Sequence, residues 1–186
     1  MPNDNVNAYT NYFRGLAIYH KDIQHNPASE TGGAAPGAKK FTRWGIDEVV
    51  TGLRTKMGWP ALLLELYEVQ TTGENQYDIK GNYNGAFTVL DRADVNNYTS
   101  EMTAFQKTES IYRDLLKKIW QDHFGPDAEF CTRVFSFFAF EKLIITPVGP
   151  LFDNQFGWRI EFSFRPALSF DLTGPIAEGT FITPAP

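Results

Sequence analysis

WRIEFSFR, residues 158–165, carries the clearest period in the chain: Trp158, Ile160, Phe162 and Phe164 alternate with Arg159, Glu161, Ser163 and Arg165. A period of two sets the apolar residues on one face of a strand and the polar ones on the other. The strand therefore belongs to a sheet that is buried on one side and wet on the other, the habit of antiparallel sheets. Pro166 interrupts it, because proline has no N–H to give to a ladder, and Leu168, Phe170 and Leu172 resume the alternation.

Upstream, Ala61 to Thr72 (ALLLELYEVQTT) is aliphatic and then alternating, and Thr72-Gly73-Glu74-Asn75 supplies a turn. Tyr77 to Leu90 (YDIKGNYNGAFTVL) carries Tyr77, Ile79, Tyr83, Phe87 and Val89, with Gly81 and Gly85 as bends or bulges. Together they predict a long antiparallel hairpin with a polar tip. Phe135 to Ile145 (FSFFAFEKLII) reads as a strand that is apolar on both faces, Phe135 and Phe137 on one, Phe138 and Phe140 on the other. Such a strand is covered on both sides, by its own chain or by a neighbour. Residues 147–157 (PVGPLFDNQFG) read as a long turn.

Three helices are expected. Residues 5 to 25 place Val6, Tyr9, Phe13, Leu16, His20 and Ile23 on one stripe, and Asn26-Pro27 stops them. Residues 45 to 57 use Ile46, Val49, Val50, Leu53 and Met57, with Gly58 and Pro60 as the stop. The third, 97 to 123, follows a capping-rich stretch and offers Tyr98, Met102, Phe105, Ile111, Leu115, Ile119 and Trp120 as its apolar face. Glu109 with Arg113, and Asp114 with Lys118, are i,i+4 pairs on its wet side. Between the first two helices, residues 27–40 contain no large apolar side chain and read as a flexible loop that nothing buries.

Strand pairs separated by a helix define an α+β fold: an antiparallel sheet of about four or more strands, with helices packed on one face. Residues 1–172 form a single domain, and 173–186, rich in proline and glycine, an extended tail. At 186 residues the chain buries roughly 70% of its unfolded surface. Sixteen Phe, eight Tyr and four Trp furnish a core of rings.

Composition narrows the function. Cys131 is the only cysteine, so no internal disulfide forms. The opening Met-Pro-Asn-Asp-Asn lacks the basic-then-apolar order of a signal peptide, so the expectation is a chain that is not secreted. Seventeen basic against 22 acidic residues, with no basic run longer than two, argue against sequence-reading nucleic-acid binding. The sequence contains no HExxH, paired-Cys, G-x-S-x-G, Walker or dinucleotide fingerprint, so no catalytic, metal or cofactor residue is assigned. His20 reads as a packed histidine and Cys131 as a structural thiol. Glu65 and Glu68 on one strand would point to opposite faces, which defeats shared acid–base work.

The order of these pieces, PALLLELYEVQ (60–70), NGAFTVLDRAD (84–94), the helix from Asn97 to His123 and GWRIEFSFRPALSF (157–170), resembles the tail-terminator and head–tail completion proteins of tailed bacteriophages. The helix at 45–57 and the proline-rich tail depart from that pattern. The resemblance implies a non-enzymatic virion structural protein, assembled in the host cytoplasm into a ring, usually a hexamer, at the phage neck. Its partners would be tail tube and head connector proteins, with DNA passing through the channel without specific binding and no membrane involved. A ring closes through two different complementary patches. The candidate interface residues are Tyr77, Ile79, Arg159, Glu161, Arg165, Phe181 and Ile182. A stopper or tube component, or a ligand-binding or enzymatic α+β domain with a pocket built from scattered residues, are the alternatives.

Overall fold

Two long strands, β4 (Lys80–Arg92) and β7 (Gln155–Pro166), run antiparallel from Tyr83 opposite Phe164 to Arg92 opposite Gln155. Each is flanked by a strand in two pieces. Along β4, β2 (Met57–Glu65) pairs with Phe87 to Leu90, and β3 (Glu68–Thr72) with Lys80 to Asn84. Along β7, β6 (Ile144–Leu151) pairs near its start and β5 (Phe135–Phe138) near its end. β1 (Lys39–Trp44) lies beside β2 in a parallel pairing. Among the described residues the result is a seven-stranded, mostly antiparallel sheet with two helices, α1 (Asn5–Tyr19) and α2 (Tyr98–Phe124). This computed structural model describes residues 5–31, 37–44, 57–72, 80–125, 135–151 and 154–166.

The alternation read in 158–165 is the alternation found. Ile160, Phe162 and Phe164 are buried, while Arg159, Glu161 and Ser163 are partly exposed. Both helices share the buried side, α1 over β1 and β2, α2 over β4 and β7. Tyr9 stacks on Phe164 at 5.4 Å, and Phe162 lies between Phe13 and Phe138 at 5.6 and 5.0 Å. Trp158 packs on Phe105 and Tyr112 and donates its indole N–H to the Phe105 carbonyl at 3.1 Å. Gly85 makes the close approach possible: a Cβ there would lie 2.7 Å from the Tyr9 hydroxyl and 2.9 Å from the Phe162 ring.

The opposite face is not uniformly wet. Met57, Ala61, Leu63 and Leu90 form a second apolar cluster with Trp59, Val148 and Leu151. Leu63 and Leu90 alternate with Leu62, Leu64 and Val89 of the main core, so they lie on the side away from the helices.

Several expectations need correcting. α1 ends at Tyr19 rather than residue 25. The chain then folds back with Gln24 in the left-handed region (φ 51°), and the Ala17 carbonyl accepts from His25 N–H. Within the stretch expected to be a flexible loop, a 3-10 turn spans Pro27–Thr31 and β1 begins at Lys39, while residues 32–36 lie outside those described. Asn26 Oδ1 accepts from Ala28 N–H, and Asn26 N–H donates to the Ala38 carbonyl. Of the expected helix over 45–57, residues 45–56 lie outside those described, and Met57, Gly58 and Pro60 belong to β2.

Residues 147–157 are not one long turn, because Ile144–Leu151 forms β6 despite its prolines. β5 is only four residues long. A register shift between Phe135 and Phe137 resets the side-chain parity, so Phe135 and Phe138 both enter the core and Phe137 stays outside.

Candidate functional site

Arg159 stands on the helix-free face of β7, and register brings it opposite Thr88 of β4, with Glu65 at the end of β2 beyond. Its Nε and Nη2 donate to Glu65 Oε1 and Oε2 at 2.6 and 2.8 Å, a two-pronged fork, and Nη1 donates to Glu161. The fork from Glu65 holds the guanidinium pKa above its ordinary value. Ser163 Oγ donates to Asn84 Oδ1 at 2.7 Å on the neighbouring rung.

These groups border a depression of about 260 Å³ that Glu68 and Lys142 also line. The expectation that Glu65 and Glu68 face opposite ways fails, because β2 stops at Glu65, β3 starts at Glu68, and Leu66 and Tyr67 between them break the strand parity. Glu65 is held at both oxygens by the Arg159 fork. The arrangement cross-braces β2 to β7 and presents a mixed-charge surface.

On the other side a groove of about 640 Å³ separates α1 from α2. Tyr12, Leu16 and Leu115 line its apolar part, and Lys21, Asp114, Lys118 and Asp122 its polar part. Tyr12 donates its hydroxyl proton to Asp122 Oδ2 at 3.0 Å, and Lys118 pairs with Asp122. The sequence pairing of Asp114 with Lys118 is replaced: Asp114 pairs with Lys117 at 3.6 Å, while Glu109–Arg113 forms as expected at 2.5 Å.

His20 sits just beyond α1, with Nε2 3.9 Å from Asp114 Oδ2 and Nδ1 accepting from Asp22 N–H. Burial lowers its pKa, against the pull of Asp22 and Asp114. His25 is buried and bridges two segments. Its Nδ1 accepts from Lys40 N–H at 3.1 Å, so Nε2 carries the proton and donates to Glu30 Oε1 at 2.7 Å. Sequence reasoning missed this bridge, because β1 itself was unread. His123 packs against Phe124 and Phe140, and burial lowers its pKa as well.

Of the seven candidate interface residues, Arg159 and Glu161 come together in the ion-paired cluster, whereas Arg165 lies farther along β7 with its guanidinium 5.7 Å from the Phe137 ring centre. Tyr77, Ile79, Phe181 and Ile182 lie outside the described residues, as does Cys131. Among the described residues no group of three or more His, Cys, Asp or Glu is placed to hold a metal, and no helix is long and apolar enough to cross a membrane. Comparison with protein-family models, with curated proteins and with solved structures finds no match.

Proposed function

We propose that this chain is a non-enzymatic virion structural protein, a ring subunit at the phage neck that serves as tail terminator or head–tail joining protein. The observation that supports the reading is the difference between the two edges of the sheet. At the β1 edge, His25 takes the Lys40 N–H and Asn26 takes the Ala38 carbonyl. At the other edge, β5 and β6 pair only with β7 among the described residues, and Phe137, Ile144 and Ile145 are exposed along them. A strand edge with apolar side chains beside it is a template for another chain.

A ring needs this edge to meet a different patch on the next subunit. In this reading that patch is the Thr173–Pro186 tail, which brings Phe181 and Ile182. The test is light scattering at several protein concentrations, alongside thermal melting, for Ile144→Asp and for deletion of 174–186. Either change is expected to abolish the ring and leave a folded chain no larger than a dimer. Unchanged mass in both would refute the edge-and-tail assembly.

The groove between the helices favours a second reading, a small-ligand-binding domain, since about 640 Å³ falls within the size of ligand sites. A thermal-shift screen with compact apolar compounds tests it; a uniform lack of stabilisation counts against it.

A further inference from the structure

α2 is apolar on two stripes, and only one of them meets the sheet. Its buried stripe is Ala104, Thr108, Ile111, Tyr112, Leu115 and Ile119. At roughly 100° per residue, Tyr98, Met102, Glu109, Arg113, Trp120 and Phe124 fall on a second stripe, turned about 100–180° from the centre of the first. Tyr98 is 74% exposed, Met102 39%, Trp120 53% and Phe124 58%. The stripe is apolar at both ends and carries one acid and one base at its middle, already paired at 2.5 Å.

That pattern is self-complementary under one operation, antiparallel rotation about a two-fold axis level with Ile111. There Tyr98 meets Phe124 of the second copy, Met102 meets its Trp120, and Glu109 meets its Arg113. A parallel arrangement would instead set Glu109 against Glu109. The helix from Tyr98 to Phe124 is about 39 Å long, enough for all these pairs to register. Six rings, half to three-quarters exposed, would remove on the order of 700 Å² from water. Met102, Leu116 and the stem of Arg113 carry the total towards the ~1,200 Å² where specific interfaces begin.

We infer that the outer stripe of α2 is a homodimer interface, with two copies packed antiparallel about Ile111 and joined at the centre by reciprocal Glu109–Arg113 pairs. None of these side chains belongs to the strand edge invoked for the ring, so the two contacts stand or fall separately.

Sedimentation equilibrium of the full chain tests it, with Ile144→Asp present to isolate this contact and circular dichroism to verify folding. The expected result is a monomer–dimer equilibrium with a Kd of about 1–10 µM. Trp120→Asp should leave only monomer, and Glu109→Arg or Arg113→Glu should each weaken the dimer at least ~tenfold, because like charges then face one another. The double exchange E109R/R113E should restore the affinity to within ~threefold. A chain that stays monomeric up to about 100 µM overturns the proposal, as does a dimer indifferent to Trp120→Asp, or a double exchange no tighter than the single ones. A dimer that persists while no ring ever forms leaves this contact standing and refutes the neck reading alone.

Discussion

Arg159 and Glu65 face each other across β4, and the fork between them acts at a surface that water still reaches. Replacing Arg159 with Met strips Glu65 of both donors, and with side chains about one-third and one-quarter exposed the loss should be modest. The expected cost is about 1–2 kcal/mol in urea unfolding, shrinking in high salt. A loss that salt does not touch would mean that the side-chain stem, not its charge, holds the strands.

His20 and His123 are expected to contribute to the response to acid. Burial lowers both pKa values, so the unfolded chain binds these protons more tightly than the folded one. Their contribution is therefore present above about pH 6.5, the unfolded value, and is lost as pH falls through the lower folded values. The urea midpoint should fall between about pH 7 and pH 5, and His20→Asn, which keeps an acceptor for Asp22 N–H, should flatten that fall. An unchanged profile would assign the acid response to other groups.

Among the elements, β7 was legible because one face is covered and the other is not, so its period of two is uninterrupted. Phe162→Ala should cost about 3–5 kcal/mol, since the ring is buried between Phe13 and Phe138. Gly85→Ala should cost about 1–3 kcal/mol, by pushing Tyr9 from the Glu65 carbonyl that its hydroxyl reaches at 3.1 Å. Equal stability to the parent would mean that α1 can lift off β4 without penalty.

Where parity was broken locally, the reading failed. The interruption at Leu66–Tyr67 brought Glu65 and Glu68 to one depression, and the bulge in β5 sent Phe135 and Phe138 to the same side. β1 has only Phe41 and Trp44 as large apolar residues, and Pro147 and Pro150 disguised β6 as a turn. In α2, two apolar stripes were merged into one. Tyr98, Met102 and Trp120 were assigned to the core, and their exposure is what exposes the second surface. The ion-paired cluster was half legible: Arg159 and Glu161 stood out as a charged strand face, but Glu65 is distant in sequence and its partner could not be read from spacing.

Among the described residues, the sheet has a guarded edge at β1 and one at β5–β6 that pairs only with β7, and the two helices lie on one side. If the proposed neck role holds, such a subunit closes into a ring through the β5–β6 edge, and the net charge of −5 would suit a channel that DNA passes without sticking. Native mass spectrometry of the purified full chain tests this most directly. The account predicts one closed species larger than a dimer, a whole multiple of the 21.1 kDa chain, that disappears with Ile144→Asp. A distribution that ends at monomer or dimer at every concentration, or a large species that survives Ile144→Asp unchanged, would contradict it.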